Sequence, residues 1–114
     1  MSTTEDVLEH HLEVFAARDV EATMSDYADD ATVITHDGTY HGTVEIRELF
    51  ETLYDEFETA VEFNLQRQVV DDDCAYIVWN AETDENVYEY ATDTFVINDG
   101  NIVTQTLAAK IDPK

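Results

Sequence analysis

The sequence predicts an α+β domain in which three N-terminal helices pack in the concave face of a curved, mostly antiparallel sheet. Two observations lead to this fold class. Three segments with a helical spacing of apolar residues fill the first half of the chain, and long segments of alternating or β-branched residues fill the second. The 114 residues, of which 44% are hydrophobic, suffice for one core, so we expect a single domain over residues 1–114.

The first predicted helix runs from about residue 4 to residue 17. Its apolar side chains, including Leu8 and Phe15, recur every three or four residues. Ser2 and Glu5 have the spacing of a capping box, in which two side chains bond each other's backbone N–H groups. Ser2 is therefore a candidate cap of this helix.

The second predicted helix is short. Asp19 has a side chain suited to accept hydrogen bonds from the first N–H groups of a helix. Apolar residues then recur at helical spacing from Val20 to Ala28, and Asp29-Asp30 ends the pattern. We expect these first two helices to form a hairpin.

The third helix has the clearest helical period of the chain, over about residues 44–58. Thr43 precedes it as a candidate N-cap. The residues that recur with this period are Ile46, Leu49, Phe50, Leu53 and Phe57. One face of this helix should therefore be buried.

Strands are predicted on both sides of the third helix. Before it, residues 32–40 carry β-branched side chains that are interrupted by His36-Asp37-Gly38, which has the composition of a tight turn. After it, four long strands are expected over residues 61–69, 75–81, 87–97 and 102–111.

The loop between the last two strands decides which of their side chains share a face. A three-residue loop over residues 98–100, with Gly100 in the left-handed conformation, pairs Asp93 with Gln105. A two-residue turn instead pairs Thr94 with Gln105 and puts Asp93 on the other face of the sheet. The apolar pattern alone is compatible with both registers.

Charge is the most unusual property of the composition. The chain has 27 acidic and 5 basic residues, which gives a net charge of −22. Such a surface repels phosphate backbones and anionic lipids, so we expect no nucleic acid and no membrane as partner. The acids are spread along the whole chain, which is typical of a salt-in halophile, and we expect stability to fall below roughly 0.5 M salt as screening is lost.

The sequence shows no signal for export or membrane insertion. Its longest apolar runs, such as Cys74–Trp79, are far shorter than the roughly 20 residues that a membrane helix needs. Residues 1–6 lack the basic region of a signal peptide, and Cys74 is the single cysteine, so no internal disulfide can form. We expect a cytoplasmic protein.

Several stretches of the chain resemble the signatures of SnoaL-like and ketosteroid-isomerase-like proteins of the nuclear transport factor 2-like superfamily. The stretches are Phe15–Val20, Tyr27–Val33, Tyr40–Gly42 with Ile46 and Phe50, and Phe95–Ile102. The order of predicted elements is similar to that fold over essentially all 114 residues. The resemblance implies a cone-shaped α+β barrel with a pocket between the sheet and the helices, and a homodimer.

The same resemblance suggests which residues form the site. It aligns Asp93 with an inward acid, which favours the three-residue loop, and it aligns His11 with a tyrosine of the oxyanion hole. Thr35 stands where these proteins have their general-base aspartate. Threonine has no useful basicity, so neighbouring His36 becomes the candidate base. The structural alternatives are a solvent-facing Asp93, a core His11 bonded to a backbone carbonyl, and a His36 that belongs to the turn.

Other residues are expected to line the pocket or support it. The pocket residues are Tyr27, Thr35, Trp79, Ala91, Phe95, Gln105 and Leu107. Arg67 alternates with Leu65 and Val69, so we expect it on an apolar face in a structural ion pair with a carboxylate. Neither the histidine spacing nor any glycine-rich motif suits a metal or a nucleotide, so we expect no metal and no cofactor.

Three functions are compatible with these residues. The first is an enzyme that isomerises or cyclises a small apolar carbonyl compound, with Asp93 and His11 polarising its oxygen and a base near His36 moving a proton. The second is a noncatalytic binder of a small apolar ligand. The third is an interaction domain with a filled cavity, which dimerises through its outer sheet face; a cavity no larger than a few waters would favour it. In the first two, Asp93 and His11 point into one cavity.

Overall fold

The computed structural model describes residues 3–114, which form three helices and one six-stranded sheet. The helices are α1 (Thr4–Ala17), α2 (Val20–Met24) and α3 (Gly42–Phe57). The strands are β1 (Tyr27–Thr35), β2 (Thr39–His41), β3 (Glu62–Asp71), β4 (Cys74–Glu82), β5 (Asn86–Asn98) and β6 (Asn101–Pro113). The α+β fold class predicted from the sequence is confirmed.

The sheet has the strand order β2-β1-β6-β5-β4-β3. Only the pair of β1 and β6 is parallel among the described strands, and every other pair is antiparallel. The helices cover the concave face of the sheet, because Leu8 of α1 and Ile46 of α3 belong to the same buried cluster as Ile77 and Phe95 of the central strands. This cluster forms the hydrophobic core between the helices and the sheet.

Helix α1 has the predicted bounds but a different cap. Thr3 Oγ1 accepts a hydrogen bond from Asp6 N at 3.1 Å, and Asp6 Oδ2 accepts one from Thr3 N at 3.2 Å. These two bonds form a capping box one residue later than the sequence suggested. The expected cap, Ser2, lies outside the described residues.

Helix α2 is shorter than predicted, whereas its cap was predicted correctly. Asp19 Oδ1 accepts from Ala22 N at 3.1 Å, but the helix ends at Met24. Tyr27 already belongs to β1 and pairs with Ile102 of β6. The apolar residues after Met24 fit a helical period and a strand equally well, and the parallel ladder with β6 decides between the two.

Helix α3 begins two residues before its predicted start. His41, rather than Thr43, is the N-cap, and its backbone N–H donates to Glu45 Oε1 at 2.8 Å. Gly42 has a φ of +79°, a left-handed conformation that glycine adopts without steric cost. This residue lets the chain turn from β2 into the helix.

The turn between β5 and β6 corrects the predicted register. It is the two-residue turn, with Asp99 and Gly100 both at positive φ, so Asp93 pairs with Leu107 and Phe95 with Gln105. A bulge between Val96 and Ile97 adds one residue to β6. The turn and the bulge together shift the partner of Asp93 by two residues relative to the three-residue loop, from Gln105 to Leu107. A shift by an even number of residues keeps the same side chains on the same face, so Asp93 lies on the concave face.

A second bulge overturns the prediction for Arg67. Leu65 pairs with inward-facing Trp79, whereas Arg67 pairs with Val78, so one extra residue in β3 turns Arg67 to the convex face. Arg67 is exposed there and forms no ion pair with any residue of the 3–114 range. The structural ion pair is absent because the alternation on which it rested is broken at Gln66.

Candidate functional site

A narrow space, here called the central cavity, lies between the helices and the concave face of the sheet. Its polar wall residues are His11, Trp79, Asp93 and Gln105. Its apolar wall residues are Leu12, Phe15, Val33, Leu49, Phe50, Leu53, Phe63, Ile77 and Leu107. The empty volume is about 470 Å³ with its open mouth included, but the centre of a water molecule can occupy only about 30 Å³. This volume admits only a few waters, which is the size that favours the interaction domain with a filled cavity. A small-molecule ligand must therefore be slender or displace apolar side chains.

Asp93 lies in the wall of this cavity and is held by both neighbouring strands. Trp79 Nε1 of β4 donates to Asp93 Oδ1 at 2.8 Å, and Gln105 Nε2 of β6 donates to Oδ2 at 2.8 Å. The residue is 5% exposed and forms no ion pair with a described cation. Neutral donors alone thus stabilise the charge of this carboxylate.

Tyr27 extends the network by one residue. Its hydroxyl donates to Gln105 Oε1, which leaves the amide nitrogen of Gln105 to face Asp93. Burial, together with the nearby charge of Asp93, raises the pKa of Tyr27 well above its usual value. Tyr27 therefore stays a donor and fixes the orientation of the Gln105 side chain.

The electrostatics of Asp93 suit proton transfer near neutral pH. Burial raises the pKa of Asp93 to about 6, and the hydrogen bonds from Trp79 and Gln105 oppose that rise. A group with such a pKa is mostly ionised at pH 7, yet it accepts a proton far more readily than an ordinary aspartate does. Asp93 can therefore act as a base and afterwards return the proton.

His11 lies in the same wall, on α1. Its ring packs edge-on against aromatic rings, with centroids 5.0 Å from Phe95, 5.9 Å from Phe50 and 6.1 Å from Tyr27. Burial, with a smaller contribution from the neighbouring His10, lowers the pKa of His11 to about 4. The ring is therefore neutral at physiological pH, and its buried Nδ1 has no hydrogen-bond partner among residues 3–114.

The structure brings most, but not all, of the sequence-predicted site residues together. The wall of the central cavity contains His11, Trp79, Asp93, Gln105 and Leu107. Tyr27, Ala91 and Phe95 are buried beside it without forming its wall, which corrects their assignment as pocket residues. Phe95 supports the ring of His11, and Tyr27 acts only through Gln105.

Thr35 and His36 belong to the β1–β2 turn and not to the cavity. Thr35 Oγ1 accepts from Asp37 N and Gly38 N, both at 3.1 Å. His36 is exposed, with its Nε2 3.5 Å from Asp37 Oδ2. The turn ends β1 before His36 can reach the concave face, so the candidate base near His36 is a wrong prediction. Asp93 and His11 are then the titratable side chains of the cavity wall.

Sequence reasoning missed the bonds that hold Asp93. Trp79 pairs directly with Ala91, and Gln105 pairs with Phe95, so both reach Asp93 diagonally across the ladder. Diagonal neighbours lie close enough for long side chains to touch. The alternation of apolar and polar residues predicted that Trp79, Asp93 and Gln105 face inward. Which of them form hydrogen bonds depends on the register between their strands, which alternation does not give.

Two features that would indicate other functions are absent from the described part of the chain. No group of three or more His, Cys, Asp or Glu side chains within residues 3–114 is arranged to hold a metal ion. Within the same residues, no helix combines the length and the apolar character needed to cross a bilayer.

Comparisons with known proteins agree with this geometry. Residues 8–105 match the family model of the SnoaL-like domain. A comparison with curated proteins found no match. Similar solved structures include a nuclear transport factor 2-like protein of unknown function from Mesorhizobium loti, with a TM-score of 0.82 and 19% identity over 94% of this chain and 90% of that one.

Two further structures carry functional names. A steroid delta-isomerase from Pseudomonas aeruginosa has a TM-score of 0.79 and 17% identity, over 96% of this chain and 81% of that one. A candidate polyketide cyclase from Sinorhizobium meliloti has a TM-score of 0.74 and 20% identity, over 90% and 93% of the two chains. At these identities the likeness shows a shared fold.

Proposed function

The chain belongs to the SnoaL-like domain family, and from this premise we propose that it isomerises or cyclises a slender, mostly apolar carbonyl compound by proton transfer in the central cavity. One observation carries the proposal. The wall of the apolar cavity contains a carboxylate and a neutral imidazole; within residues 3–114 the carboxylate has no cation beside it and the buried imidazole nitrogen has no partner. The names of the isomerase and cyclase structures support this choice of reaction class.

The roles follow from the protonation states. Asp93, with a pKa of about 6, is mostly ionised at pH 7 and takes a proton from the carbon next to the substrate carbonyl. The C–H electron pair moves into the new C=C bond, and the carbonyl oxygen becomes an enolate oxygen. The neutral ring of His11, in the tautomer that carries a proton on Nδ1, donates a hydrogen bond to this oxygen. Asp93 then returns the proton to the same or another carbon.

Noncatalytic binding is the second candidate function. It is favoured by the lack of a second carboxylate in the cavity wall, since Thr35 and His36 lie in the turn. In this case the same walls bind an apolar carbonyl compound, and the Nδ1 atom of His11 gains a partner without any reaction. The two functions differ in turnover and not in the place of binding.

Hydrogen–deuterium exchange of ketones separates these functions without knowledge of the natural substrate. Enolisation in D₂O replaces the hydrogens next to a carbonyl by deuterium, which NMR detects. We expect the protein to accelerate this exchange for at least one ketone of a panel that includes 2-octanone and cyclohexanone. Asp93→Asn should lower the protein-catalysed rate by at least about 100-fold, since the amide cannot act as a base.

A matched control uses Asp55→Asn, because Asp55 is an exposed aspartate on α3. This variant should exchange at the wild-type rate. If ketones bind in the central cavity but exchange no faster with wild type than with Asp93→Asn, the protein is a binder. If no ketone binds there at all, both candidate functions are wrong.

We also propose that the protein is a homodimer that associates through the convex face of its central strands. Laterally paired residues on this face are Val78, Thr92 and Ala108; Tyr76, Thr94 and Thr106; and Cys74, Val96 and Thr104. None of these side chains is a carboxylate or a cation, although the chain has 27 acidic residues. Two copies that each carry a charge of −22 can approach most easily through such a face.

Light scattering at high salt tests the dimer. Thr94→Glu places a carboxylate at the centre of the convex face and should give a monomer. Thr52→Glu makes the same change at an exposed position of α3 and should leave the dimer intact. A wild-type protein that is monomeric in high salt would contradict the proposal.

Salt adaptation and a cytoplasmic location complete the proposal. The net charge of −22, which molar salt screens over a few ångströms, supports the salt adaptation. Melting temperatures should fall as the salt concentration is lowered below roughly 0.5 M. Melting temperatures that rise on removal of salt would contradict salt adaptation.

A further inference from the structure

An apolar groove adjoins the mouth of the central cavity. We call it the entrance groove, and its larger apolar residues are Leu12, Phe15, Phe57, Val61, Phe63 and Leu65. Leu12, Phe15 and Phe63 also line the central cavity, so the two spaces meet at these side chains. The centre of a water molecule can occupy about 340 Å³ in the groove, against about 30 Å³ in the cavity. The groove can therefore hold the larger part of a ligand.

The groove exposes three large apolar side chains. Val61 is 69% exposed, Leu65 is 42% exposed and Phe63 is 40% exposed. These residues are contiguous with the apolar wall of the cavity rather than scattered over the surface. A contiguous apolar patch that leads into a cavity is typical of a ligand-binding groove.

Arg18 is the cation of this groove. The chain has 5 basic residues, and three of them form ion pairs: Arg47 with Glu21, Lys110 with Glu89 and Lys114 with Glu82. Arg18 forms none with any carboxylate of residues 3–114; Nη1 only approaches the carbonyl oxygen of Ala16, at 3.5 Å. The net charge of −22 opposes the approach of anions at long range. At close range, a groove-lining arginine without an acidic partner among residues 3–114 is available to bind an anion.

We infer that the entrance groove selects ligands that carry a carboxylate at the end remote from the reacting carbonyl group, with Arg18 binding that carboxylate. The apolar body of the ligand lies along Phe15 and Phe63 and leads into the cavity towards Asp93 and His11. This inference rests on the proposed function, because it names the substrate class of the same site. Glu62 also lines the groove, so the carboxylate must lie on the Arg18 side.

The dimensions agree with a medium-length chain. His11 lies in the middle of α1 and lines the cavity, and Arg18, seven residues later, is the C-cap of the helix and lines the groove. At 1.5 Å per residue, this separation is about 10 Å along the helix axis. Octanoate has an extended chain of similar length, and 1-octanol differs from it by a neutral hydroxyl group in place of the carboxylate.

Competition with a neutral fluorescent probe tests the inference. N-phenyl-1-naphthylamine reports on apolar sites, and octanoate and 1-octanol are compared as competitors at fixed, moderate salt. Wild type should bind octanoate more tightly than 1-octanol, by about fivefold for an exposed charge pair. This preference should shrink as salt is added, because screening weakens exposed ion pairs.

Variants assign the preference to one residue. Arg18→Gln should abolish the preference for octanoate and leave the affinity for 1-octanol unchanged, while Arg18→Lys should retain part of the preference. Arg67→Gln removes the same charge on the convex face, so it should preserve the wild-type preference and serves as the control for net charge.

The outcomes separate this inference from the proposed function. If octanoate and 1-octanol compete equally in wild type and in Arg18→Gln, Arg18 does not select a carboxylate, and the ketone exchange experiment is unaffected. If Arg67→Gln loses the preference as well, net charge rather than the groove is responsible, and the inference is wrong. If neither compound displaces the probe and Val61→Glu turns a dimer into a monomer, a second copy covers the groove, which also overturns the inference.

Discussion

Two carboxylates of this protein are held in the same way but in different surroundings. Asp93 accepts hydrogen bonds from Trp79 and Gln105, and Glu56 accepts them from the side chains of Thr83, Asn86 and Tyr88 at 2.8, 2.9 and 2.8 Å. Neither carboxylate forms an ion pair with a cation of residues 3–114. Asp93 faces the central cavity, whereas Glu56 joins α3 to the β4–β5 hairpin.

The difference shows what separates a functional carboxylate from a structural one. Both carboxylate oxygens of Glu56 accept hydrogen bonds that connect α3 to the β4–β5 hairpin. Asp93 also has partners for both oxygens, but it lines an apolar space whose wall includes His11, and the Nδ1 of His11 has no partner among residues 3–114. A carboxylate can therefore take part in catalysis only where a cavity beside it can admit a substrate.

The largest expected stability effect concerns Glu56. Glu56→Ala leaves Thr83, Asn86 and Tyr88 without their acceptor, so the free energy of unfolding should fall by about 3 kcal/mol. Urea unfolding at fixed salt measures this loss. Ketone exchange per folded molecule should remain at the wild-type level, because no partner of Glu56 lines the central cavity.

Asp55→Ala is the control for this prediction, since Asp55 is exposed on the same helix and forms no side-chain hydrogen bond within residues 3–114. It should change stability by less than about 0.5 kcal/mol. If Glu56→Ala and Asp55→Ala cost the same, the hydrogen bonds of Glu56 contribute nothing net to the fold.

Asp93 and His11 should change the free energy of unfolding in opposite directions as pH rises. The pKa of His11 falls from 6.5 in the unfolded chain to about 4, so this group makes the folded state more stable as pH rises through that window. The pKa of Asp93 rises from 3.8 to about 6, so this group makes the folded state less stable as pH rises through its window. In wild type the two contributions largely cancel.

Asp93→Asn removes one of these contributions and leaves the other. Its free energy of unfolding, relative to wild type, should rise by about 2 to 3 kcal/mol from pH 4 to pH 7. Urea unfolding at several pH values gives this difference directly, and the other acidic residues cancel in it. A difference that is flat with pH would mean that Asp93 has an ordinary pKa in the folded protein.

A pair of Tyr→Phe variants sharpens the comparison of the two networks. Tyr27→Phe and Tyr88→Phe each remove one buried hydroxyl donor and should each lower the free energy of unfolding by about 1 kcal/mol. Only Tyr27→Phe should also slow ketone exchange, because Gln105 then loses the bond that orients its amide towards Asp93. Equal exchange rates in the two variants would show that the orientation of Gln105 is unimportant.

The smallest effect is expected at Arg67. This residue is exposed on the convex face and has no carboxylate partner among residues 3–114, so Arg67→Ala should change stability by less than about 0.5 kcal/mol. Thermal unfolding at high salt measures it. If the free energy of unfolding falls by several kcal/mol, Arg67 forms the buried ion pair that the alternation of β3 predicted.

The sequence was informative where structure is local. The periods of α1 and α3 and the alternation of the long strands predicted the elements to within a few residues, because apolar spacing reflects one helix or strand at a time. The early end of α2 was not predictable from spacing, since Tyr27 fits either pattern and its pairing with Ile102 decides.

Bulges limited what could be predicted about the site. Asp93 was assigned to the concave face through a three-residue loop. It lies there because a two-residue turn and a bulge together change the register by two residues, which leaves the same side chains on that face. The bulge in β3 has the opposite consequence and turns Arg67 outward. A bulge depends on the partner strand, so alternation within one strand does not reveal it.

The most direct test of the account is an NMR titration of the Asp93 carboxyl carbon, assigned with Asp93→Asn, in the absence and presence of 2-octanone. We expect a midpoint of about 6 in the free protein, and an upward shift with the ketone as water is displaced from the carboxylate. The carboxyl signal of Glu56 should not respond to the ketone. A midpoint of Asp93 near 4 that is unchanged by the ketone would contradict the claim that the central cavity contains a carboxylate ready for proton transfer.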